Sequence, residues 1–307
     1  MINNSNLYGN ATAWHNLVND SLTNHIAHAY IFAGPKGVGK ALVAKEYIKY
    51  ILKANDTLAE RIDEDSFLDL LYIHKQDKSE IGIDSIRNAG DFFKHTPTEG
   101  DKKFVIIDSA DDLNLNSANA LLKILEEPTQ NTYLFLISHT PYKLLSTIRS
   151  RCRMIKFQPL DAKDLKLIAN MGKISVMEDF IAGSAARAIA CHEMDVIKLY
   201  QQILELIQSD DIMAFNKFTE TITKKTEQWQ LVTELLLYLL NRCLKIASNC
   251  LQAEEISEIE VEIAKNKSID EWFKIYDEFT VSLKQAEIYN LNKKQVLLLI
   301  MNEIRKS

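Results

Sequence analysis

HAYIFAGPKGVGKA, residues 28–41, carries an apolar run (Tyr30, Ile31, Phe32, Ala33) into a glycine-rich turn, and helical spacing begins near Val38. The pattern is strand, loop, helix, with GxxxxGK running from Gly34 through Pro35, Lys36, Gly37, Val38 and Gly39 to Lys40. Glycines suit such a junction because the backbone must come close to phosphate and adopt positive φ, which a side chain obstructs. Backbone N–H groups and the helix N-terminus then cradle phosphate oxygens, with Lys40 reaching the outer ones. The motif ordinarily ends in Ser or Thr, whose hydroxyl holds Mg²⁺, but position 41 is Ala41. The phosphate loop is present and its metal ligand is missing.

Outward from the loop, strand and helix patterns alternate. A helix is expected over 11–24 (Trp14, Leu17, Val18, Leu22) and another over 39–53. Residues 54–68 read as a polar surface connection, and Leu70 to Ile73 as a strand. Asp84 is the expected cap of a helix over 85–94. A strand follows at Phe104 to Ile107, then a helix capped by Asn116 that must stop before Pro128. Tyr133 to Ile137 is a further strand, Pro141 opens a short helix ending near Ile148, and Met154 to Phe157 is the last strand. Alternation with continuously apolar strands predicts an α/β fold with a parallel sheet covered on both faces. After a linker at Pro159 to Asp161 only helices are expected, including 229–247 and a final helix 293–305 capped by Asn292. The expected domains are 1–160, 161–205 and 206–307. The acidic segment 254–262 reads as a solvated helix face.

Composition narrows the function. Lys and Arg number 36 against 42 acids, a net charge of −6, so there is no basic surplus of the kind a free-standing nucleic-acid binder shows. The four cysteines (Cys152, Cys191, Cys243, Cys250) are scattered with no CxxC pair, which suits reduced thiols in the cytoplasm and neither disulfides nor zinc. MINNSNLYGN has no cationic or apolar leader segment, so no signal peptide is expected. The apolar stretch 229–247 is broken by Glu234, Asn241 and Arg242, so a buried helix is expected there and no membrane span.

The strand at 104–107 ends in Asp108, where a carboxylate either orients Mg²⁺ and its waters or caps the following turn (Asp111, Asp112). Hydrolysing enzymes of this type place glutamate next; this chain has Ser109. Two groups needed for hydrolysis are therefore absent. Arg149, Arg151 and Arg153 alternate along a segment entering a strand, which would point all three to one side, as a solvated basic edge.

The run NSANALLKILEEPTQNTYLFLIS (116–138) followed by LLSTIRSRC (144–152) resembles the clamp-loader branch of the AAA+ ATPases, and within it the delta-prime subunits of bacterial DNA polymerase III. The resemblance covers residues 1 to about 160 through these motifs, continues through GSAARAIA (183–190), and beyond that rests on length and helicity. It implies a AAA+ domain, a small helical lid domain and an all-α collar domain that holds a pentameric ring. It further implies gamma/tau-type and delta-type subunits, a sliding clamp and primer–template DNA as partners. Under it Arg151, in SRC, is an arginine finger acting in trans; Asp108 is a degenerate Walker B aspartate; Ser138 and His139 fall at sensor 1; and Arg187 falls at sensor 2. With Ala41 and Ser109 in place, sensor residues can equally be vestigial, Arg187 a surface residue and His139 a turn residue. Such subunits often carry a four-cysteine zinc module after the phosphate-loop helix; residues 54–69 contain no cysteine, so no zinc is expected. No cofactor is required, and weak binding of ATP or ADP is compatible with the surviving loop. The competing readings are an ATP-hydrolysing gamma-type subunit or other AAA+ motor, and a free-standing nucleotide sensor or kinase. The last leaves LLKILEEP and SRC unexplained.

Overall fold

The computed structural model describes residues 9–75, 80–169, 178–193, 196–209, 211–250, 257–289 and 291–305. The chain divides into two compact units, one of Met1–Ile174 with Ile181–Ile189, the other of Ser175–Phe180 with Ala190–Ser307, so segment 161–205 is shared between them.

The first unit is built on a five-stranded, wholly parallel sheet: β1 (Ala29–Ala33), β2 (Leu70–His74), β3 (Lys103–Asp108), β4 (Thr132–Ser138) and β5 (Arg153–Lys156), in the order β2-β3-β4-β1-β5. Successive residues of a strand point to opposite faces, and both faces are covered. On one side Tyr30, Phe32, Phe104, Ile106, Phe135 and Ile137 pack with α1 (Ala11–Leu22), α2 (Lys40–Leu52) and α3 (Asp56–Asp63). On the other, Ile31, Val105, Ile107, Leu134 and Leu136 pack with α4 (Ile83–Lys94), α5 (Leu115–Glu126) and α6 (Ser146–Arg149). Two-sided burial is what requires unbroken apolar strands.

Several local expectations shift. Residues 54–68 are more than a connection: Asn55 accepts from the Leu58 N–H at 2.9 Å and starts α3, whose Ile62 is buried. Helix α4 begins after Gly82, placing Asp84 in its first turn instead of at its cap. The cause is tertiary, because the Ile81 N–H donates to the Asp112 carbonyl at 2.8 Å and fixes where the chain turns. Asn114, not Asn116, caps α5, its Oδ1 accepting from the Ser117 N–H at 2.9 Å. Pro141 opens a 3₁₀ turn, with α6 following as a separate single turn.

Helices α7 (Ala162–Ala169), α8 (Glu178–Ile181) and α9 (Ala185–Glu193) follow β5 in chain order and precede the later helices. These are α10 (Val196–Gln208), α11 (Ile212–Ile222), α12 (Thr226–Ala247), α13 (Glu258–Lys265), α14 (Ile269–Tyr289) and α15 (Lys293–Arg305). Asn292 caps α15 as expected, accepting from the Lys294 N–H at 3.0 Å. In α12, Leu235, Leu236, Leu239 and Leu240 are fully buried, and no described helix is long and apolar enough to cross a membrane.

In the acidic segment, whose residues 254–256 lie outside the described part, Glu258 and Glu262 are exposed as a solvated face requires, but Glu260 departs from that reading. Glu260 is 3% exposed. Its carboxylate accepts from Arg242 Nε at 2.6 Å and Nη2 at 3.0 Å, from the Tyr200 hydroxyl at 2.6 Å, and from the Ser257 N–H and hydroxyl at 3.1 Å each. A charge run solvates itself only where nothing else comes to meet it; here α10 and α12 do.

Candidate phosphate site and an anchored arginine

Strand order brings the carboxyl ends of β1, β4 and β3 side by side, and the Gly34 N–H donates to the Ser138 carbonyl at 3.2 Å. Loop 34–40 rises from this edge, where open α/β sheets bind ligands. Gly37 (φ +82°) and Gly39 (φ +88°) are in the left-handed region, and Gly39 forms the N-cap of α2. A Cβ added at Gly34 would meet the Phe157 carbonyl oxygen at 2.4 Å, and one at Gly37 the Ser184 hydroxyl at 2.1 Å. The Ala186 N–H donates to the Gly37 carbonyl at 3.1 Å, so the tip of the loop is docked on the start of α9. Arg187 is half-buried in that first turn, its N–H donating to Ser184 Oγ at 3.3 Å.

Lys40 is 3% exposed and donates from Nζ to the carbonyls of Gly34 (2.7 Å) and Pro35 (2.6 Å). Burial lowers its pKa to about 8, against the opposing pull of Asp108 and Asp111. Asp108 stands at the tip of β3 and accepts from the Tyr72 hydroxyl at 2.7 Å. It is no turn cap, since Ser109 accepts from the Asp111 N–H at 3.2 Å and does that work. Val38 is buried, Pro35 and Lys36 are exposed, and Ala41 is half-buried in the first turn of α2.

Asp111 is the residue the sequence did not single out. It accepts from the Ser138 hydroxyl at 2.7 Å, the Thr140 hydroxyl at 3.1 Å and the His139 and Thr140 N–H groups. Burial alone would raise its carboxyl; these donors outweigh it and hold the pKa below the ordinary value. Ser138 and His139 thus face Asp111 with their donors. Burial and the nearby Lys40 lower the His139 pKa. Asp111→Ala removes this tie between β3 and β4 and strands the Ser138 hydroxyl, so a loss of ~1–3 kcal/mol is expected in urea unfolding at neutral pH. Because the folded pKa is depressed, the wild-type contribution is complete above the unfolded value and fades only as pH falls through the folded one.

For a nucleotide the fit is partial. The glycine turn, the α2 N-terminus and Lys40 suit phosphate, whereas Ala41 and Ser109 supply neither a metal-binding hydroxyl nor a water-activating carboxylate. Among the described residues no cluster of His, Cys, Asp or Glu is arranged to hold a metal ion.

The three arginines do not share one side, because they sit on three kinds of backbone. Arg149 closes α6, Arg151 is in the following turn, and Arg153 begins β5. Arg153 pairs with the buried Asp20 at 2.5 Å. Arg151 donates from Nη1 to the Thr147 carbonyl at 3.0 Å and pairs through Nη2 with Glu126 at 2.9 Å. Between them Cys152 packs into the second core, its thiol pushed up to about 12 by burial. Glu126 belongs to LLKILEEP and Arg151 to SRC, so the two motifs meet through one ion pair.

Residues 9–161 match the family described as DNA polymerase III, delta subunit. The chain is 38% identical over 136 residues to the DNA polymerase III subunit delta' of Pseudomonas aeruginosa (41% of this chain, 42% of that one). It is 36% identical over 160 residues to that of Bacillus subtilis (49% and 48%). The tau subunit of Bacillus subtilis is 32% identical over 167 residues, covering 52% of this chain and 29% of that protein. The chain thus spans about half or less of these relatives' lengths. A crystal structure of a DNA polymerase III gamma subunit-related protein from Thermotoga maritima superimposes with a TM-score of 0.59 at 20% identity, covering 94% of this chain and 98% of that one. That likeness concerns the fold, the AAA+ α/β architecture with helices following. With the matching residues coinciding with the sheet, the phosphate loop and the paired LLKILEEP and SRC motifs, residues 9–161 of the chain belong to the DNA polymerase III delta subunit family and are similar there to its delta-prime subunits.

Proposed function

We propose that this protein is a non-hydrolysing subunit of a DNA polymerase III clamp loader, presenting Arg151 as an arginine finger to the ATP held by a neighbouring subunit. One contrast supports the reading. The phosphate site lacks its metal-binding hydroxyl and its water-activating carboxylate, while an exposed arginine is anchored by Glu126 and Thr147. A planar guanidinium that stays charged is suited to the γ-phosphate of another chain. The partners are gamma/tau-type and delta-type subunits in a pentameric ring, acting in the cytoplasm to load a sliding clamp on primer–template DNA. The helices after residue 206 serve as the collar, Arg187 and Asp108 are remnants of a nucleotide site, and any ATP or ADP binding is weak. Neither zinc nor another cofactor is needed.

The rival is a hydrolysing gamma-type subunit, which the retained Lys40 and the 32% identity to a tau subunit favour. Phosphate release by the purified chain with Mg-ATP separates the two. The expected result is no turnover above background and no change on Lys40→Ala. Turnover that co-purifies with the chain and disappears on Lys40→Ala would decide for the rival.

A further inference from the structure

We propose that Glu126 is a positioning residue for Arg151, holding the guanidinium in the orientation needed for phosphate contact in trans; the inference rests on the functional reading above. Glu126 is the last residue of α5 and is followed by Glu127. Two carboxylates at a helix C-terminus oppose the macrodipole, which favours cations there, so helix stability does not account for Glu126. Its side chain is 50% exposed and that of Arg151 37%, and an ion pair so open to water adds little to the fold.

What the pair does is orient. Arginine has five N–H donors in a fixed fork. Nη1 donates to the Thr147 carbonyl at 3.0 Å, with the Ser150 hydroxyl at 3.5 Å, and Nη2 is held by charge beside Glu126, 2.9 Å from its Oε1. Neither partner takes Nε–H, so that donor can meet a phosphate while the terminal nitrogens stay held. A long side chain held this way has its ordering cost met before the partner arrives. Ordering of this kind raises the rate of the chemical step more than it raises binding.

The test uses the reconstituted clamp loader, with the ATP sites not served by Arg151 silenced by phosphate-loop lysine substitutions in those subunits. Glu126→Gln should lower kcat for ATP roughly ten- to a hundredfold with KM unchanged, and Glu126→Asp should recover part of the loss. Adding Glu126→Gln to Arg151→Ala should cost nothing further, and the melting temperature of the isolated Glu126→Gln chain should match wild type. If Arg151→Ala abolishes turnover while Glu126→Gln leaves it intact, the positioning inference falls and the functional reading stands. Faster turnover in Glu126→Gln would mean that the carboxylate restrains the arginine, which also overturns the inference. So would a Glu126→Gln chain that is destabilised or fails to assemble, since the role would then be structural. If Arg151→Ala itself has no effect, the functional reading fails and takes this inference with it.

Discussion

Replacing Arg151 with alanine is expected to leave the isolated chain folded and to disable the assembled complex. The side chain is 37% exposed, and the loss of its contacts with Thr147 and Glu126 should change stability by no more than about 0.5 kcal/mol. In the role proposed for Arg151, loss of the finger costs roughly 10³ to 10⁵ in turnover at the neighbouring subunit's ATP site. On the same proposal the other sites of the ring keep their own fingers, so total hydrolysis should fall by a fraction while productive clamp loading falls much further. Lys40→Ala is the comparison and should leave loading nearly unchanged. Steady-state ATP turnover and a clamp-loading assay on the two reconstituted variants check this. The reverse outcome, with Lys40 essential and Arg151 dispensable, would identify the chain as a motor in its own right.

Glu260→Ala should be among the strongly destabilising changes in the helical unit. Glu260 and Arg242 are 3% and 6% exposed, and truncating the acid leaves a buried guanidinium without its bidentate partner. Removing one member of a buried ion pair costs ~3–5 kcal/mol, and here the Tyr200 hydroxyl and the Ser257 capping box lose their acceptor as well. Burial by itself would raise the Glu260 carboxyl; the bonds from Arg242, Tyr200 and Ser257 outweigh it and bring the pKa below its ordinary value. The wild-type contribution is therefore complete above about pH 4.3, the unfolded value, and is lost as pH falls through the lower folded one. Urea unfolding followed by circular dichroism should show a large gap between wild type and Glu260→Ala at pH 7. In strong acid the gap should narrow. A difference under 1 kcal/mol at pH 7 would mean that the network is replaceable by solvent.

The sheet was readable because β1 and the middles of β3 and β4 are apolar and its turns carry Gly, Pro, Asn and Asp, all of which are local signals. Where tertiary contacts choose among local options, the reading slipped. Asn114 and Asn116 are equally good caps on paper, and only the path of the chain selects Asn114. Gly82 displaces Asp84 at the start of α4 because Ile81 is bonded to Asp112. The phosphate loop and the SRC segment were visible as motifs, yet the alternation argument for three arginines assumed extended backbone across a helix end and a turn. Nothing local distinguishes Asp111 from Asp112; its role appears only when β4 arrives beside β3 with Ser138 and Thr140. Glu260 was misread for a related reason, since its partners Tyr200 and Arg242 lie 60 and 18 residues away.

The placing of β1 between β4 and β5 bears on how the chain is made. Ala29 pairs with Leu134 and Tyr30 with Arg153, so β1 finds neither neighbour until more than a hundred further residues have been synthesised. At about 5–20 residues per second, the nascent strand waits on the order of ten seconds. Throughout that time AYIFA, whose residues all end up buried, has both hydrogen-bonding edges open. Unpaired apolar edges of this kind invite association with other chains. Yield during expression should therefore depend on translation speed and on chaperone occupancy of the first half of the chain, well before the stability of the finished fold has any say.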